Sequence, residues 1–258
     1  MKQLTAAQIS NMRYAGKVLA GTFKFIRQNL HAGMTTREVD KMAEDYIVAH
    51  NCYPCFKGVY GYEYTCNTSV NEEIIHGIPS DKVLQEGDII TVDCGAGFNG
   101  ICTDACRTFP VGKISDEAQE LIKVTRNCFY KALNKMKPGV EVAIVGKTIE
   151  GYIKDIGGYS ILEDYCGHGI GKNLHEDPLI PNYVVHGSGL QQHVRKKFQP
   201  NTAVCVEPMI FHGNSNAVKV APDGWTVIST RGELSAHYEN TILVTAQGVE
   251  VLTNSDEN

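Results

Sequence analysis

Apolar residues recur at spacings of three and four in two stretches at the front of the chain, Ile9, Met12, Ala15, Leu19, Phe23, Ile26 and Leu30, then Val39, Met42, Ala43, Tyr46 and Ile47. Each stretch is preceded by the pair of a capping box, Thr5 with Gln8 and Thr35 with Glu38, so the spacing predicts two helices separated at His31-Ala32-Gly33. A loop rich in Tyr, Gly and Cys follows from Asn51 to Thr68, then NEEIIHGIP from Asn71 to Pro79. Ile89 to Pro110 reads as two apolar-rich strands joined through a glycine-rich reversal ending in Asn99-Gly100, a pair that favours the positive φ angles of a type I′ turn.

The pattern then starts again. Ala118, Leu121, Thr125, Cys128, Phe129, Ala132 and Met136 share one face of a helix over 115–136, with Asp116 and Glu117 at its positive end. Lys137-Pro138-Gly139 breaks it, and Val142, Val145, Ile149, Tyr152 and Ile156 give a fourth helix. A strand from Ala203 ends at Glu207, and another from His237 to Val244 carries Glu239. Ala246-Gln247-Gly248 turns the chain into a closing strand at Val249 to Leu252, and 253–258 reads as a polar tail.

The order of elements repeats. His76-Gly77-Ile78 answers His168-Gly169-Ile170, and Asp93, six residues after Gly87, answers Glu207, six after Asn201. The expectation is an α+β protein, 1–258 forming one catalytic domain of two halves, about 1–112 and 113–252, related by a pseudo-twofold axis. Their strands would merge into one curved antiparallel sheet backed by helices, leaving a cleft on the open face.

With 43% hydrophobic residues in 258, the chain can bury a large core. Its net charge of −5 argues against DNA or a membrane surface as partner. The N-terminal segment has no signal-peptide pattern, and no run of 18 apolar residues occurs, so the expected location is the cytoplasm. Nine cysteines, an odd number, suggest reduced thiols there. Cys52 and Cys55 have zinc-knuckle or redox spacing, and Cys102 and Cys106 flank Asp104, but most of the set reads as small core residues.

The hairpin poses a charge problem. With Asn99 and Gly100 as turn residues, Asp93 stands opposite Cys106, and Asp104 is its diagonal neighbour on the same face, roughly 7–8 Å away. Two carboxylates on an otherwise apolar face repel and lose hydration unless something positive lies between them. His168, Glu207 and Glu239 also fall on or beside predicted strands. Singly, each reads as a solvated or hydrogen-bonded polar residue. Together, four carboxylates and an imidazole match the demand of two divalent ions, roughly 3.5–4 Å apart, bridged by carboxylates. An oxygen-rich set suits Mn, Fe(II) or Co at least as well as Zn. His175, seven residues after His168, and His76, at the matching place in the first half, are further candidates; their plainer readings are a surface loop residue and a turn partner.

These segments carry a resemblance. DCGAGFNGICTDACRTF, NEEIIHGIP, GHGIGKNLHEDP, VEPMI and SAHYENTILVT are similar, in order and through nearly the whole chain, to the five signature blocks of the type I methionine aminopeptidases, which have the pita-bread metallopeptidase fold. The resemblance implies removal of the initiator methionine from nascent proteins with a small second residue. It implies two divalent ions (Co, Mn, Fe(II), Zn or Ni) held by Asp93, Asp104, His168, Glu207 and Glu239, with Asp104 and Glu239 bridging. A water activated by these ions would attack the scissile carbonyl with Glu207 as general base, His175 would supply a donor to the oxyanion, and His76 would lie near the scissile nitrogen. The methionine pocket would be walled by Tyr62, the loop around Cys66, and Trp225, alternatively a plain loop anchor.

Three departures from the family pattern concern the pocket and its rim: Asn67 at a place often filled by Cys, Leu174 before His175 where an aromatic is common, and a longer stretch from Val184 to Gln199. The expected partner is the N-terminal methionine of nascent chains, met by a monomer. Arg195-Lys196-Lys197 suggests transient ribosome contact or, more plainly, a solvated loop. Two rival functions remain: an Xaa-Pro dipeptidase, for whose usual extra N-terminal domain 258 residues leave no room, and a metal-free ribosome-associated binding paralogue.

Overall fold

The computed structural model describes residues 1–255. Its centre is the hairpin: Ile89–Phe98 pairs antiparallel with Ile101–Pro110 along its whole length, reversing at Asn99 (φ 48°) and Gly100 (φ 74°). Around it a nine-stranded antiparallel sheet is assembled. Cys66–Val70 and Tyr53–Pro54 pair with the first hairpin strand, and Glu239–Val244 pairs with the second. Thr202–Val206, Gly167–Ile170 and Glu176–Ile180 then extend the sheet, while Val249–Val251 pairs with Glu239–Val244.

Four helices cover one face. In α1 (Ala6–Asn29) and α2 (Thr36–Ala49) both capping boxes form, Thr5 with Gln8 and Thr35 with Glu38, so two otherwise orphaned N–H groups at each start are satisfied. Ser115 caps α3 (Asp116–Leu133), and α4 (Ala143–Ile156) ends at Gly157 (φ 63°). Phe23, Ile26, Val39 and Ile47 of α1 and α2 pack on Val92, Cys94, Ala105 and Phe109. Leu121, Phe129, Val145 and Ile149 of α3 and α4 pack on Val204, Val206, Ile242 and Val244. Because side chains alternate along a strand, burying this set commits the intervening residues, Asp93, Asp104 and Glu239 among them, to the opposite face. Among the described residues no helix is long and apolar enough to cross a membrane.

Three features differ from the sequence expectations. Cys66–Val70 is a strand, although the sequence reads its first three residues as loop; CNTSV is buried throughout and so lacks the alternation that marks a half-exposed strand. Of the polar 253–258 stretch, Thr253 and Ser255 are packed in while Asn254 is exposed: Arg107 Nε donates to Ser255 Oγ at 3.0 Å, and Thr253 Oγ1 donates to Asn240 Oδ1 at 2.9 Å. The remaining three lie outside the described residues. Finally, the thiols are not all reduced. Cys55 and Cys102 form a disulfide with Cα atoms 6.2 Å apart, a pairing across 47 residues that neither the Cys52/Cys55 nor the Cys102/Cys106 spacing indicates. Cys52 and Cys106 are buried free thiols.

Candidate active site

Sheet register builds the site as two rows on the face away from the helices. In the first row Asp93 stands opposite Cys106, and Cys106 opposite Glu239. Asn240 opposite Val206 extends this row to Glu207, just past its strand. In the second row Asp104 pairs with Gly95, and Thr241 with Cys205; Gly169 opposite Val204 brings His168 beside Cys205. Thr241 locks the second row, its hydroxyl accepting from the Asp104 N–H and donating to the Asp104 carbonyl, both at 2.8 Å. His168 enters because glycine flanks it on both sides: a Cβ on Gly167 would come within 2.3 Å of the Cys205 carbonyl oxygen, and one on Gly169 within 2.4 Å of that of Asp177.

The five expected ligands therefore converge. His168 Nε2 is 3.6 Å from Glu207 Oε1 and 3.8 Å from Asp104 Oδ2, and ligand atoms of Asp104, His168, Cys205 and Glu239 lie within 4.8 Å of one another. Burial, followed by the other carboxylates, holds Asp104 and Glu239 well above the ordinary carboxylate range. Burial and then Asp93 do the same to Glu207, and burial raises Asp93 to about 7. Burial lowers His168 to about 3, with His175 adding to the effect. Oδ1 of Asp93, Oδ1 of Asp104 and Oε1 of Glu239 are buried without a hydrogen-bond partner. Crowded carboxylates with orphaned oxygens facing a neutral imidazole favour a positive charge among them, and the oxygen-rich donor set fits divalent ions.

The cluster floors a cavity of roughly 540 Å³, a size typical of small-ligand sites. One wall is apolar: Phe56, Val59, Tyr62 and Trp225, with the Tyr62 and Trp225 ring centroids 5.1 Å apart. Trp225 is presented by a turn in which Asp223 Oδ1 accepts from the N–H groups of Trp225 and Thr226 at 2.8 and 2.9 Å. His175 stands edge-on to His168 at 4.5 Å and stacks on Tyr60 at 6.2 Å. His76 is held at φ 60°, a left-handed conformation uncommon outside glycine, with its ring edge-on to Tyr165 at 5.3 Å. Burial lowers His76 to about 4 and also lowers His175, so both are neutral at pH 7.

Of the expected site residues, Cys66 is misplaced. It pairs with Cys94 on the helix face, where its thiol donates to Asp40 Oδ1 at 3.3 Å; its neighbour Asn67, opposite Asp93, lines the cavity instead. Leu174 lines the cavity too. The 184–199 stretch packs beside the rim, where Lys196 Nζ bonds Asp177 Oδ2 at 3.0 Å and His193 Nδ1 accepts from the Leu179 N–H at 3.1 Å. Tyr165 and His237 also line the cavity, and neither is among the site candidates the sequence offers. His237 has a legible signal, since it lies two residues before Glu239, and its imidazole stands 3.7 Å from Glu207.

Residues 10–246 match the model of metallopeptidase family M24. A methionine aminopeptidase of Clostridium acetobutylicum is 44% identical over 247 residues, covering 95% of this chain and 96% of that one. Methionine aminopeptidase 1 of Bacillus subtilis is 38% identical, covering 96% and 97%. Among solved structures, a methionine aminopeptidase from Thermotoga maritima superposes with a TM-score of 0.92 at 37% identity, covering 98% of this chain and 99% of that one. Prolidase from Pyrococcus furiosus shares the fold at a TM-score of 0.76 and 21% identity; this chain is covered to 99%, that one to 66%.

Proposed function

This chain belongs to metallopeptidase family M24, and from that membership we propose that it is a methionine aminopeptidase, removing the initiator methionine from polypeptides whose second residue is small. The observation that carries the reading is the buried cluster of Asp93, Asp104, His168, Glu207 and Glu239 flooring a cavity whose wall is Tyr62 and Trp225. A carboxylate-rich floor beside an apolar, aromatic wall suits a substrate with a charged amine and an unbranched thioether.

In this reading Asp93, Asp104, His168, Glu207 and Glu239 would together hold two divalent ions (Co, Mn, Fe(II), Zn or Ni). When bound, the ions supply Lewis acidity toward a water and the scissile carbonyl. Glu207 takes the proton released as that water attacks. His175, kept neutral by burial, donates its N–H to the developing oxyanion, and His76 orients the substrate at the scissile nitrogen. Phe56, Tyr62, Asn67 and Trp225 enclose the methionine side chain.

Because the ligands come from strands on both sides of the 112/113 joint, the whole chain acts as one catalytic domain of two halves. The same reading makes it a cytoplasmic monomer that meets nascent chains, with Arg195 and Lys197 available for transient ribosome contact and Lys196 engaged by Asp177. The test is release of free methionine from Met-Ala-Ser, compared with Leu-Ala-Ser and Met-Pro peptides, after reconstitution with divalent metal. Selective cleavage of Met-Ala-Ser is expected; preference for the Met-Pro peptide, or no cleavage by metal-loaded protein, would overturn the reading.

A further inference from the structure

Glu207 lies between two imidazoles, with His168 Nε2 3.6 Å from Oε1 and His237 Nε2 3.7 Å from Oε2. A neutral imidazole has one N–H and one lone pair, and the partner of one nitrogen decides the state of the other. His168 Nδ1 is 2.9 Å from the Gly169 carbonyl oxygen, which can only accept. The His168 proton therefore belongs on Nδ1, and Nε2 presents its lone pair toward Glu207 Oε1 and Asp104 Oδ2.

His237 is different. Its side chain is 2% exposed, and neither ring nitrogen has a hydrogen-bond partner. The ring is placed by its backbone: the His237 N–H donates to Thr108 Oγ1 at 3.0 Å, the His237 carbonyl accepts from the same hydroxyl at 3.1 Å, and the residue pairs with Met209. A buried imidazole donor without an acceptor is destabilising, and a carboxylate oxygen just beyond hydrogen-bond range is the partner that removes the penalty.

We propose that His237 is the positioning residue for Glu207, its Nε2–H donating to Oε2 and thereby turning Oε1 toward His168 Nε2 and Asp104 Oδ2. The proposal builds on the reading of Glu207 as ligand and base, and adds what sets the orientation of its carboxylate. One imidazole thus offers a lone pair to the ion cluster while the other holds the far side of a carboxylate ligand.

Two measurements test it. Long-range ¹H–¹⁵N correlation spectra of the Zn(II)-loaded wild-type protein should show the His237 proton on Nε2; a proton on Nδ1 would overturn the assignment without any variant. Calorimetric titration of metal-free protein with Mn(II) should show affinity about 10–100-fold weaker in His237→Leu, with kcat lowered and KM for Met-Ala-Ser nearly unchanged. His237→Gln, which keeps an N–H donor near the Nε2 position, should recover most of the loss. A folded His237→Leu with wild-type Mn(II) affinity and kcat, or a folded His237→Gln as impaired as the Leu variant, refutes the role. If His237→Leu does not fold, the wild-type tautomer and the Gln variant decide. Wild-type protein that binds Mn(II) but releases no methionine would count against the proposed function, while the tautomer would still judge His237.

Discussion

Asn67 faces Asp93 directly across the strand pair, whereas Cys66, one residue earlier, faces Cys94 on the opposite side of the sheet. Asn67 thus belongs to the cavity, which it lines together with Tyr62, and Cys66 belongs to the packing around Asp40. Asn67→Ala is expected to raise KM for Met-Ala-Ser several-fold, because Tyr62 loses its neighbour in the pocket wall. Cys66→Ala should leave KM alone and lower stability by about 0.5–3 kcal/mol in urea melts. The reverse pattern would mean that the strand is one residue out of register.

Arg107 joins the site to the end of the chain. Its buried guanidinium lies over the Tyr238 ring at 4.2 Å and near Phe23 at 5.5 Å, and it donates to the Cys106 and Glu239 carbonyls, Asn240 Oδ1 and Thr253 O. Arg107→Met keeps much of the apolar volume but removes these donors. Its expected cost is roughly 3 kcal/mol, since hydrogen bonds to charged groups are among the stronger ones and several acceptors are left buried. Chemical denaturation measures that cost, and Mn(II) calorimetry should show weaker binding as the Glu239 backbone loosens.

Most of the frame was legible in the sequence because its signals are local. Capping boxes gave the starts of α1 and α2, Asn99-Gly100 gave the turn, and that turn alone fixed Asp93 opposite Cys106. What escaped depends on long-range pairing. Cys66 and Asn67 differ by one place in register, and nothing local says which of them faces Asp93. The Cys55–Cys102 disulfide joins residues 47 apart, from a loop and a strand. His237 in SAHYEN reads as an ordinary polar strand position; only the sheet brings it to Glu207.

Glu207→Gln should separate activity from stability. Removing the base is expected to lower kcat by about 10²–10⁴-fold, the usual worth of general-base catalysis. The same change removes one of four crowded carboxylates, so the metal-free variant should melt higher than metal-free wild type at pH 8. Retained turnover would remove Glu207 as the base; an unchanged metal-free melting point would mean that the carboxylates do not repel as their burial implies.

The pH dependence of the metal-free protein follows from two opposed sets of groups. Asp93 is raised to about 7, and Asp104, Glu207 and Glu239 are raised well above the ordinary carboxylate range, so above pH 4 the folded state keeps protons that the unfolded chain has shed. That difference makes stability fall as pH rises, by about 1.4 kcal/mol per pH unit for each extra proton held. His168 and His237 are lowered to about 3, His76 to about 4, and His175 is lowered as well. Below 6.5 the unfolded chain therefore binds protons that these imidazoles refuse, which makes stability rise with pH and offsets the carboxylates. Above 6.5 the histidine contribution is spent, and only the carboxylate slope remains. Metal-free protein should accordingly lose stability between pH 6.5 and 8. Saturating Mn(II) should abolish that loss, because ion binding favours the ionised carboxylates and strengthens as protons leave. Urea denaturation at several pH values, with chelator and with Mn(II), measures both slopes; parallel slopes would show that the ions do not bind at these carboxylates.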